Sequence, residues 1–178
     1  TYAQYEHFSN ASDRVRSETD AADKPVVLVS YNQAQAFCNR LGSAVGLAGR
    51  LPREVEWEYA ATGLNENSSG SSNPLRHSLP VGQIPAVRSD PQNVSQFGVF
   101  DLPGSVWEWT SDEPSPAEAK LVDRGSLGPD KLRIVKGGST NEPPKSISPK
   151  QREIIPLLTK DRALGFRCVA AKPGRSSN

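Results

Sequence analysis

Apolar residues come in short bursts along this chain, each with a readable period, separated by long polar, glycine-rich and proline-rich stretches. Tyr2, Tyr5 and Phe8 stand at near-helical spacing, and Asn10–Lys24 follows as an acidic, polar loop. Pro25–Ser30 is a β-branched run with the composition of a short strand. Ser30 and Gln33 then form an S-x-x-Q capping box, and Ala34, Phe37, Cys38 and Leu41 recur at i, i+3, i+4 and i+7. This predicts an amphipathic helix that ends near Gly42 or Gly46. A second helix is predicted to start at Arg50-Leu51-Pro52, because Pro fits a first turn and Glu54 and Glu56 complement the helix dipole. Trp57, Ala60 and Ala61 share its buried face.

From Gly63 to Ser95 the pattern dissolves into Asn, Ser, Gly and Pro, so a long loop is expected. The strongest burst follows at Gly98–Asp112, GVFDLPGSVWEWTSD, where a strand would set Trp107 and Trp109 on one face and Glu108 on the other. Two of the chain's three tryptophans lie here, and each can bury on the order of 200 Å². Glu108 reads either as a solvated strand carboxylate or as one held for a cation or a backbone turn. Glu113–Asp130 reads as a polar loop and Leu132–Val135 as a strand ending in Gly137-Gly138-Ser139, with the two glycines at a tight backbone position. Pro143, Pro144, Pro149 and Pro156 exclude a regular helix from Asn141–Pro156, which leaves edge strand or loop. Leu164–Ala170 is the expected closing strand, and Lys172–Asn178 a flexible tail.

Composition narrows the class. A chain of 178 residues, 35% hydrophobic, with 14 Gly and 15 Pro, suits one domain rich in irregular backbone, here placed at residues 1–171. A formal charge of +1 gives no global field for nucleic acid or an acidic membrane. No apolar run approaches the roughly 18 residues of a membrane span. The absence of Met suggests a piece of a longer precursor.

The ordered set TYAQYEHF, PVVLVSYNQAQAFCNRL, RLPREVEWEYAA, FGVFDLPGSVWEW, VKGGS and GFRC resembles the formylglycine-generating-enzyme, or sulfatase-modifying-factor, domain family over nearly the whole chain. That resemblance implies an α+β, C-type-lectin-like fold with two main helices, short antiparallel strands and extensive loops. Active members use a copper-binding cysteine pair shortly after the GGS motif. The ungapped count here places Glu142 and Ile147 at those positions, and neither offers a thiolate. The resemblance also pairs Cys38 of the first helix with Cys168 of GFRC in a disulfide; the alternative is two buried thiols in a reducing compartment.

A family calcium site uses the turn before WEW, where Asn normally precedes Val. Ser105 stands there instead, leaving backbone oxygens and Glu108 as potential ligands for one structural calcium, and no other cofactor is expected. His7 and His77 are too few for the three-histidine iron site of the related sulfoxide synthases. Sequons at Asn10, Asn67 and Asn93 matter only in a eukaryotic secretory host. The segment Asn141–Lys160 takes the place of the family's active-site loop and is basic through Lys145, Lys150, Arg152 and Lys160. Replacing Lys145, Lys150 and Arg152 is expected to change stability by no more than about 0.5 kcal/mol. Three classes remain: a non-catalytic, extracytoplasmic module that binds a protein partner through Lys145, Lys150 and Arg152; a ligand-displaying receptor of the same fold; and an enzyme of non-standard chemistry.

Overall fold

The WEW burst forms a strand with both faces covered, and the rest of the chain is arranged around it. The structure, a computed structural model, describes residues 1–9, 21–63, 82–122, 128–143 and 147–171. Its elements are α1 (Tyr2–Phe8), α2 (Tyr31–Ala44), β1 (Ala48–Arg50), α3 (Glu54–Thr62), β2 (Trp107–Trp109), α4 (Pro116–Leu121), a 3-10 turn (Pro129–Lys131), β3 (Leu132–Lys136), β4 (Arg152–Pro156), β5 (Leu164–Gly165) and β6 (Val169–Ala171). One sheet has the order β4-β3-β2-β5, and a second joins β1 to β6. This is the expected α+β fold. Among the described residues no helix is long and apolar enough to cross a membrane. The expected tail at 172–178, the sequons at Asn10 and Asn67, and His77 lie outside the described residues.

Local chemistry explains most of the elements. The N–H of Ser30 donates to Gln33 Oε1 at 3.0 Å, as the capping box requires. The helix it opens buries Ala34, Phe37 and Cys38. It runs through Gly42 to Ala44, because Gly42 is a contact point and not a terminator: a Cβ there would lie 2.2 Å from Gly49 N. The second long helix starts later than expected. Pro52 is still extended, its carbonyl accepting from Ser111 N–H at 2.8 Å, and the Asp112 carboxylate receives the first helical N–H, that of Glu54.

The run 25–30 is not a strand. Leu28 has φ +59°, which breaks the extended conformation, although Val26, Val27 and Val29 are buried. The closing strand divides in two, because Phe166 joins the aromatic cluster of Tyr5 and Phe37 while Cys168 is bonded to Cys38. The pairing is not wholly antiparallel: β5 runs parallel to β2, with Trp107 opposite Leu164. A parallel neighbour demands a crossover, and the connection from β4 crosses over the core face. It is held there by Leu28 N–H to Asp161 O and Tyr31 N–H to Leu157 O, both 3.0 Å. The helix α4 lies inside the expected 113–130 loop; Ser115, Pro116 and Glu118 are its cap, first turn and capping-box partner, a signal present in the sequence.

Trp107, Trp109 and Val135 join Tyr5, Phe37 and Val29 in the main core. Trp109 is fully buried and its indole N–H donates to Val29 O at 3.0 Å. Glu108 and Lys136, opposite each other in the ladder, point to the other face, which α3 covers.

Candidate functional site

The turn after β3 brings together residues that the sequence separates. Gly137 and Gly138 both have positive φ, and a Cβ on Gly137 would come within 2.9 Å of the Trp57 ring, so the turn and α3 pack as closely as they do only with glycine there. The next residue, Ser139, is fully buried. Its N–H and its hydroxyl both donate to Glu142, the hydroxyl at 2.8 Å. The other Glu142 oxygen accepts the indole N–H of Trp107 at 2.9 Å. Glu142 is therefore a clamp tying the turn to the central strand. Ile147 is half-buried, and Lys145 lies outside the described residues.

On the far face of the sheet lies a charged layer under α3. Glu108, only 6% exposed, accepts from Arg167 Nε at 2.6 Å and Arg167 Nη2 at 2.8 Å, a bidentate pair, and from the Trp57 indole N–H at 2.6 Å. Burial works to lower the pKa of Arg167, but the charge and hydrogen bonds of Glu108 outweigh it, so the guanidinium is held above its ordinary range. The solvated reading of Glu108 fails because α3 brings Trp57 over that face. The cation it holds is a guanidinium. Glu108, the side chain offered for the calcium that the resemblance implies, has both oxygens engaged by Arg167 and Trp57, and the Ser105 carbonyl accepts from Thr140 N–H at 3.3 Å. Among the described residues no group of three or more His, Cys, Asp or Glu is placed to hold a metal ion.

Lys136, fully buried, extends the layer: its ammonium reaches Glu58 at 2.6 Å, Glu54 at 3.3 Å and the Lys150 carbonyl at 3.3 Å. Sequence reasoning missed it, since a lysine ending a strand ordinarily faces water. Its one signal was Glu54 and Glu58 at i, i+4 on a helix that also carries Trp57. Cys38 and Cys168 are joined in a disulfide.

Residues 3–172 match the sulfatase-modifying factor enzyme 1-like domain. The chain belongs to that family. The formylglycine-generating enzyme of Mycobacterium tuberculosis is 31% identical over 189 residues, covering 85% of this chain and 58% of that protein. A Bos taurus protein named inactive C-alpha-formylglycine-generating enzyme 2 is 29% identical over 169 residues, covering 82% of this chain and 50% of its own length. The chain thus spans between half and three fifths of these relatives. The solved structure of Treponema denticola variable protein 1 shares the fold, with a TM-score of 0.70 at 19% identity over 97% of this chain and 82% of that one.

In this sulfatase-modifying-factor-like domain the described basic residues of 141–160 differ in their surroundings. Lys150 and Lys160 are exposed. Arg152, however, turns inward, with Nη1 2.7 Å from Glu118 and Nε 2.8 Å from Glu54. The Arg152 hydrogen bond, aided by Ser115, lowers the Glu118 carboxyl to about 2. This geometry weighs against treating Arg152 as neutral for stability, because α3 and α4 meet on it. The strand that carries it is the sheet edge. Gly137 N–H donates to Gln151 O and Leu157 N–H to Lys131 O, which fixes the ladder parity and turns the N–H groups of Arg152 and Ile154 away from β3.

Proposed function

We propose that this domain is a non-catalytic binding module of a larger extracytoplasmic protein, engaging a protein partner through the surface of residues 141–160. The observation that carries the reading is Glu142. It stands where the resemblance puts a catalytic cysteine, and its carboxylate is committed to Ser139 and Trp107. A thiolate pair is needed to bind copper and oxidise a substrate cysteine, and the chain's two cysteines are used up in a bridge. A relative named as an inactive enzyme supports the same direction. The bridge is compatible with an oxidising compartment.

An edge strand flanked by exposed Lys150 and stiffened by Pro149 and Pro156 supports 141–160 as the contact surface, since edge N–H groups can pair with an extended segment of a partner. The test is incubation of the copper-supplied domain with a sulfatase-motif peptide, read by mass spectrometry. No conversion is expected, and formylglycine in the peptide would overturn the reading. Placement of a photo-crosslinking residue at position 150 should trap a partner in envelope extract, whereas the same residue at exposed Val45 should not.

A further inference from the structure

Away from both the GGS turn and β4, a cleft of about 770 Å³ opens between α1, α2 and the loops 87–88 and 98–101. That volume lies within the range of small-molecule sites, roughly 300–1,000 Å³. Its walls are apolar, with half-buried Phe8, Leu41, Val99, Phe100 and Phe166 over the packed rings of Tyr5 and Phe37. Its charges are of both signs. Arg167 is paired with Glu108, and the Asp101 carboxylate, still anionic, accepts from Arg88 N–H at 2.6 Å and from Asn93 Nδ2 at 3.4 Å. The side chain of Arg88 stands apart. It is exposed, its guanidinium lies 4.7 Å from the Phe100 ring centroid, and among the described residues no carboxylate pairs with it.

The position of this cation is built. Arg88 and Asp101 both adopt left-handed backbone, with φ +59° and +57°, and each is locked by the other through the N–H to carboxylate bond. Two non-glycine residues in that region are a cost that persists only where the surroundings enforce it, and such residues gather at ligand sites. Phe100, the platform under Arg88, is held through its carbonyl by Arg167 Nη2 at 3.2 Å. A guanidinium over a ring face can keep its hydrogen-bonding edge for a ligand, and that edge matches a carboxylate in two parallel bonds.

We propose that the cleft binds a small amphipathic monocarboxylate, its apolar body against Phe8, Leu41 and Phe166 and its carboxylate on Arg88. Among the described side chains that line the cleft, a single guanidinium lacks a carboxylate partner, which fits a monoanion better than a dianionic phosphate. The inference is independent of the partner surface at 141–160.

The test is calorimetric titration of the whole chain with sodium decanoate below micelle formation and with 1-decanol below its solubility limit. Decanoate should bind saturably at one site, with the alcohol at least fivefold weaker. Arg88→Asn removes the cation while keeping a residue that tolerates left-handed backbone. It should weaken decanoate about tenfold, the order expected for losing a charge-assisted hydrogen bond, and leave decanol within about twofold. Arg88→Lys, which keeps the charge but not the paired donors, should give a decanoate affinity between those of the parent and Arg88→Asn, and Val99→Trp, which fills the cleft, should weaken both ligands, with melting curves showing that each variant folds. No saturable binding of decanoate, as when a segment of the chain or a second copy covers the cleft, would overturn the proposal. So would equal affinity for acid and alcohol, or an equal loss of both on Arg88→Asn.

Discussion

At the scale of single residues, burial and pairing decide what each charge does. Glu108 is held by a guanidinium and an indole on the α3 side of β2, so replacing it leaves Arg167 without its counter-ion. Glu108→Gln should cost about 3 kcal/mol, read from urea denaturation, because an ion pair broken on one side strands the other charge. Glu56 illustrates the dependence on pH. Its hydrogen bonds with Arg50, at 2.6 and 2.7 Å, lower its carboxyl from 4.5 to about 2. A carboxyl depressed in the folded state contributes its full stabilisation above the unfolded value, and loses it as pH falls through the folded one. The urea midpoint should therefore decline between pH 4.5 and about 2, and Glu56→Gln should flatten part of that decline.

At the scale of elements, close approach and shared ions fix how helices meet strands. The contact of α2 with β1 rests on Gly42 and Gly49: a Cβ on Gly49 would stand 2.1 Å from the Cys38 carbonyl. Gly42→Ala should cost about 3 kcal/mol by overpacking against backbone that cannot yield, despite the better helix propensity of alanine. Arg152 bridges α3, α4 and β4, so Arg152→Ala should lower the urea midpoint, whereas Lys150→Ala should leave stability within about 0.5 kcal/mol. Partner-binding tests on this surface accordingly belong on Lys150. The capping boxes and helical periods were legible in the sequence because each is written within four residues. The late start of α3 was not, since Asp112 supplies its first acceptor from 58 residues away.

For the whole molecule, the disulfide is the longest covalent constraint. It joins residues separated by 130 positions, so reduction should remove roughly 4 to 5 kcal/mol on the chain-entropy account, visible as a lower urea midpoint in the presence of reductant. The sequence by itself determined the two long helices and the central WEW strand, which are written in local period, while the resemblance of its motifs to a family implied the α+β class and the lack of a thiol pair after the GGS turn. Only the tertiary structure decided that the second face of the strand is covered, and with it the fates of Glu108 and Lys136. It also decided that the last strand divides between two sheets and that Arg152 turns inward while Lys150 does not. Each of these depends on which distant segment arrives to cover a surface, and a strand's alternation records only that it has two faces, not how many of them are buried.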